Sequence, residues 1–241
     1  MSSTPATATA ELRTRVEEIT RTHTRLLEDV ADMGDAAARE QTGLPSWSRG
    51  HVLTHLGDLA RAFARQAHYA SEGRRIEVYD GGRPGRDSAI EEGAPRSAAA
   101  LREALEEGLT GLEQAWADLK ETDWSLPCAY RDSDLLATQM CWWREVHIHY
   151  ADLDIGYRPE DWSDSLGRHV IDFLLPRLPA DRTTVLLAAD TGRRWEHGTG
   201  TTLTVHGTQN SLAAWLAGRR TAQEPGTRAP DTPLPELGPW P

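Results

Sequence analysis

Between Cys141 and Leu153 the chain reads Cys-Trp-Trp-Arg-Glu-Val-His-Ile-His-Tyr-Ala-Asp-Leu, and no other stretch narrows the fold as much. Trp142, Val146 and Leu153 recur at helical spacing, and Glu145 and His149 stand four apart, one above the other on a helix. A carboxylate and an imidazole interleaved with such residues point into a helical bundle, where an unpaired polar or charged group is strongly disfavoured. A shared divalent cation removes that conflict. It requires a third ligand, and the best source is far upstream, in Trp47-Ser48-Arg49-Gly50-His51-Val52-Leu53-Thr54-His55-Leu56.

A chain of 241 residues holds one large domain or two modest ones with a real core. No apolar run reaches the ~18 residues of a membrane span, and Met1 to Ala10 lacks the basic and apolar regions of a leader. A cytoplasmic location is expected. The net charge of −11 argues against nucleic acid or an anionic membrane as partner, because both demand clustered cations. Lys120 is the single lysine amid many Arg, Ala and Gly, a bias that fits a GC-rich, actinobacterial source. Cys128 and Cys141 form no CxxC and read as buried, inert thiols.

Along the chain, Glu11 to Asp32 shows the first amphipathic helical pattern. Ser48 is placed to cap a second helix, which runs through Val52, Leu56, Leu59 and Phe63 to about Ala70. Ser71 to Pro95, with five glycines and Pro84, reads as a long polar loop, a lid or surface excursion bordering the site. A third helix follows Ser97 through Leu101, Leu105, Leu109 and Leu112 to Leu119, and a fourth spans about Ser133 to Ile155. Four helices of about twenty residues predict an antiparallel bundle. From Ser163 the texture changes to a fifth helix over Leu166 to Leu175 and strands over Thr184–Asp190, Arg193–His197 and Thr201–His206. A helix over Thr208 to Gly218 then precedes a proline-rich tail pinned by Leu234 and Trp240. The expected fold is mainly α: a four-helix bundle over residues 1–157 and a small α+β domain over residues 158–241.

On spacing alone the metal reading competes with a bland one. Glu145 also suits an ion pair with Arg144 or Arg49, and His55 and His149 also suit ordinary core histidines. His51, four before His55, is a rival ligand, although His55 lies nearer the apolar stripe of Val52 and Leu59. His147 falls about 160° round the helix from His149 and reads as structural or solvent-facing.

The pattern Trp47-Ser48-x-x-x-Val52-x-x-His55-Leu56 with Arg144-Glu145-Val146-x-Ile148-His149-x-x-Asp152-Leu153 resembles the mycothiol-dependent maleylpyruvate isomerase family. That family belongs to the DinB-like group of four-helix metalloenzymes, and the resemblance extends over nearly the whole chain. It implies that His55, Glu145 and His149 bind the metal, zinc or another divalent ion. It also places the family's C-terminal arginine on Arg219, in Gly207-x-x-x-x-Leu212-x-x-x-Leu216-Ala217-Gly218-Arg219, although Arg220 is an equal cation by chemistry. The implied activity is cis-trans isomerisation of maleylpyruvate to fumarylpyruvate with mycothiol, a low-molecular-weight thiol, as cosubstrate. A mycothiol S-transferase acting on other electrophiles and a non-catalytic metal-binding regulatory module are the alternatives. The implied partners are small molecules. The sequence fixes no oligomeric state, and a monomer is consistent with it.

Overall fold

A computed structural model describes residues 5–227 and 232–241, with side chains of the first helix from residue 9 onward. The leader-free reading of the N-terminus and the reading of the proline-rich tail fall partly on residues 1–4 and 228–231, which lie outside the described residues. The chain divides into two compact units, Met1–Ile155 and Gly156–Pro241. No helix among the described residues is long and apolar enough to cross a membrane.

The first unit contains α1 (Pro5–Asp29), a single turn α2 (Asp35–Ala38), α3 (Arg49–Ser71), α4 (Gly82–Gly93), α5 (Ala98–Ala117) and α6 (Leu135–Asp152). The four long helices close a ring of contacts, α1 against α5 and α6 and α3 against the same two. Ile19, Leu26, Leu56, Phe63, Leu105, Leu112, Trp142 and Val146 are wholly buried between them. The contact of α3 with α5 is the tightest, because Gly57 and Gly108 let the two backbones touch. A Cβ on Gly108 would stand 2.6 Å from the Gly57 carbonyl oxygen.

A polar network crosses this core on the α1 side. Trp142 Nε1 donates to His23 Nε2 at 2.9 Å, and His23 Nδ1 lies 2.6 Å from Glu113 Oε1. One turn along α6, His147 Nε2 lies 3.3 Å from Thr22 Oγ1. His147 is therefore structural and buried. Burial, with some help from His23, pushes its pKa down to about 3, and Glu18 at 3.7 Å does not offset this.

Two expectations for this unit need correction. α1 already runs through residues 5–10, ahead of the apolar pattern, because the alanines there favour helix without periodicity. The supposed loop over residues 71–95 contains α4, a twelve-residue helix. Pro84 lies in its first turn, where no N–H is missed, and Ile90, 2% exposed, is its main apolar anchor. The chain before α4 is tied down by polar contacts. Buried Gln66 donates to the carbonyls of Ile76 (3.1 Å) and Glu77 (3.3 Å), and Arg65 forks onto Asp80 at 2.8 and 3.1 Å. One apolar anchor in twelve residues leaves no period to read.

The second unit holds α7 (Asp164–Leu174), β1 (Thr183–Ala188), β2 (Arg194–His197), β3 (Thr202–Gly207), α8 (Gln209–Leu216) and β4 (Gly226–Thr227). Its sheet runs in the order β2-β1-β3-β4. β2 returns antiparallel on β1, whereas β3 lies parallel to β1 with Leu186 beside Val205. α8 packs against α7, β1 and β3. Gly226 and Thr227 at the start of the tail supply β4, which pairs antiparallel with β3. The tail is also pinned through its backbone. Gly238 N–H donates to the Arg177 carbonyl at 2.7 Å and Arg177 Nε to the Gly238 carbonyl at 2.8 Å, and the Trp240 ring, though 41% exposed, lies 5.4 Å from the Arg177 guanidinium.

Two outcomes follow from this packing. Gly108→Ala is expected to destabilise the protein by about 1–3 kcal/mol, because the new methyl group forces α3 and α5 apart; a denaturation midpoint equal to wild type would refute the backbone contact. His147 is neutral when folded, whereas a free histidine titrates near 6.5, so the unfolded chain binds the extra proton below that pH and stability falls toward pH 3. His147→Leu should shrink the loss of unfolding free energy between pH 7 and pH 5 by about 2 kcal/mol, as measured by urea titration at both pH values.

Candidate metal centre

The site begins with the way α3 starts. Ser48 caps the helix with His51: the Ser48 N–H donates to His51 Nδ1 at 3.1 Å, and Ser48 Oγ lies 2.7 Å from the same nitrogen. This closes the helix end and occupies the rival histidine, whose Nε2 lies 3.5 Å from Glu91. His55, one turn on, is 3% exposed and points at α6. α6 is capped by Asp134, which accepts from the Ala137 N–H at 2.9 Å, and it presents Glu145 and His149 on its α3 side.

The three side chains meet. His55 Nε2 lies 3.1 Å from Glu145 Oε2, and His149 Nε2 lies 3.3 Å from the same oxygen. One donor atom from each residue falls within 4.8 Å of the others. Behind His149, Asp152 Oδ2 holds Nδ1 at 2.8 Å. Trp47 stacks on His149 at 6.0 Å and meets His55 edge-on at 5.5 Å, walling one side.

The electrostatics suit a cation. Burial opposes the charge on Glu145, but hydrogen bonds from His149 and His55 outweigh it and hold the carboxyl well below the usual range. Burial pushes His55 down to about 4 against its bond to Glu145, leaving it neutral at pH 7. Burial also opposes protonation of His149, yet Asp152 and Glu145 together raise it. Two imidazoles and a carboxylate, with one imidazole oriented by a further carboxylate, form a donor set that fits a divalent ion.

The model of the mycothiol maleylpyruvate isomerase N-terminal domain family matches residues 6–154. The chain belongs to that family. The crystal structure of a mycothiol-dependent maleylpyruvate isomerase shares its fold, at 22% identity over 93% of this chain and 95% of that one, with a TM-score of 0.83. A histidine-to-alanine mutant of such an isomerase aligns equally well, at 22% identity and a TM-score of 0.82. A search of curated proteins gave no match.

The other members of the sequence reading fall as follows. Arg49 is engaged with the Leu153 carbonyl at 2.6 Å and with Glu40. Arg219 belongs to the second unit. Gly218, at φ +72°, ends α8, and the N–H groups of Gly218 and Arg219 turn back to the carbonyls of Trp215 and Ala214, both at 2.8 Å. The Arg219 guanidinium donates to the Ala217 carbonyl and lies 5.9 Å from the Trp240 ring. Cys141 is buried one turn before Glu145, and burial, reinforced by Glu145, pushes its thiol up to about 12.

Sequence reasoning missed two residues beside the cluster. Arg86 on α4 brings Nη2 to 3.4 Å from His55 Nδ1, and its guanidinium carbon lies 6.0 Å from the ring of Tyr79. The Tyr79 hydroxyl is raised by burial, against the nearby Arg86. Both sit in the segment that reads as a loop, where no spacing marks either. Asp152 was legible as part of the motif, but its contact with His149 was not.

Asp152→Asn is expected to keep the fold and weaken divalent-ion affinity by about 10–100-fold, because His149 loses its orienting carboxylate. Competition with a chromophoric chelator measures this, and an unchanged dissociation constant would remove Asp152 from the site.

Proposed function

We propose that this chain is a metal-dependent, mycothiol-dependent isomerase of the maleylpyruvate type, and that His55, Glu145 and His149 are its metal ligands. The buried convergence of these three side chains, in a chain of this family, is the observation that carries the reading. Zinc is the ion we favour, although the same donors suit nickel, iron or cobalt. A cytoplasmic location and small-molecule partners belong to the same reading.

A divalent cation held here would supply the means of keeping a thiol deprotonated at neutral pH, since a free thiol has a pKa near 8.5. The chain's own residues do the rest. His55 offers a neutral imidazole and Glu145 a fixed negative charge, so neither needs to lose a proton at pH 7. Asp152 fixes the orientation of His149, and Trp47 shields one face of both imidazoles from solvent.

The reaction this supports is addition and elimination. The mycothiol sulfur forms a C–S bond to one carbon of the cis double bond, and the π pair moves through the conjugated carbonyl to give an enolate oxygen. The remaining C–C single bond rotates. The enolate then collapses, the C–S bond breaks, and the trans alkene leaves with the thiol regenerated. Charge on the enolate needs a donor or cation, and we assign Arg219, which matches the family's C-terminal arginine, either to that role or to clamping a substrate carboxylate.

The decisive assay follows fumarylpyruvate formation from maleylpyruvate and mycothiol by the metal-analysed protein. Turnover should require metal and thiol and vanish in His55→Ala. Arg219→Lys should lose most of the turnover while retaining metal, since Lys cannot reproduce a guanidinium fork; full activity in that variant would end its role. A metal-loaded protein that binds mycothiol but leaves maleylpyruvate untouched would replace the isomerase with an S-transferase.

A further inference from the structure

α4 brings a cation to the centre that the proposed ligand set does not use. The Arg86 side chain is 23% exposed, and its guanidinium is engaged by Asp87 Oδ1 at 2.7 Å, His55 Nδ1 at 3.4 Å and the Tyr79 hydroxyl. A guanidinium only donates, so His55 Nδ1 accepts and its ring proton lies on Nε2, toward Glu145. Five N–H donors serve three acceptors, and one of those, Asp87, is 56% exposed and adjacent in sequence. Such an exposed pair is weak and open to competition.

The helix does not need this cation for its own placement. Ile90 buries α4, Gln66 holds the chain before it, and Arg65 engages Asp80 at its start. Arg86 instead stands on the far side of the His55 ring from Glu145, one imidazole away from the cluster, with Tyr79 beside it.

We propose that Arg86 binds a carboxylate of the electrophilic substrate and thereby selects anionic electrophiles at this centre. The proposal rests on the functional reading above for the identity of the pocket. With Nη2 3.4 Å from a ring nitrogen of His55, a carboxylate gripped by Arg86 belongs to a molecule held beside the cluster. The displaced partner is Asp87, a carboxylate already lying in the fork's reach, so the substrate replaces like with like.

Calorimetric titration of the metal-loaded full chain with maleate tests this without turnover. Wild type should bind maleate, Arg86→Gln should bind it at least about tenfold more weakly, and Arg86→Lys should recover part of the loss. Asp87→Asn should tighten binding, because the competing carboxylate is gone. Metal content and mycothiol affinity should be the same in Arg86→Gln as in wild type. Equal maleate affinity in Arg86→Gln, a loss that accompanies lost metal, or failure of the wild-type protein to bind maleate would each overturn the proposal. A wild-type protein that binds maleate through Arg86 yet does not isomerise maleylpyruvate would count against the isomerase reading alone.

Discussion

A carboxylate enclosed in a helical bundle must be compensated by something, and at Glu145 two imidazoles do so through hydrogen bonds. Much of the first unit is arranged around that requirement. Glu145 and His149 are adjacent because they share a helix face, but His55 arrives from a helix ninety residues earlier in the chain. Its approach depends on the rotation of α3 about its own axis, which the Ser48–His51 cap fixes at the helix start. It depends equally on the seat of α3 against α5, fixed by backbone contact at Gly57 and Gly108. Breaking a buried cluster of this kind by removing one member leaves a charge without compensation, so ligand geometry and bundle stability are the same problem.

The two faces of α6 solve it differently. Toward α3 lie Glu145 and His149, held charged or proton-binding by their neighbours. Toward α1 lie Trp142 and His147, where His147 stays neutral among Thr22, Glu18 and His23. Two histidines only two residues apart thus have opposite proton affinities. The cause is what faces each: Asp152 and Glu145 outweigh burial on one side, whereas burial and the nearby His23 prevail on the other.

Strong periodicity made α3, α5 and α6 legible in the sequence, and with them the bundle and the pairing of Glu145 with His149. Within the motif stretch, the apolar stripe already favoured His55 over His51. What the sequence hid was structure held by single contacts. α4 has one buried aliphatic residue, and its position depends on Gln66 and Arg65 of another helix, so neither it nor Arg86 leaves a local signature. β4 is similar: two residues in a proline-rich tail pair with a strand about twenty residues earlier, which no alternation within the tail could announce. The start of α1 escaped because alanine favours a helix without marking a face.

The placement of the cysteines has a consequence for a protein read as using a small thiol. Thiol–disulfide exchange needs an accessible thiolate, and its rate falls as the deprotonated fraction falls. Cys128 is 1% exposed and Cys141 6%; burial raises both thiols, that of Cys141 to about 12. A disulfide form of the cosubstrate, accumulating under oxidative stress, therefore finds no partner on the folded chain. The chain's own thiols are thus protected from capping, even where oxidation has depleted the free cosubstrate.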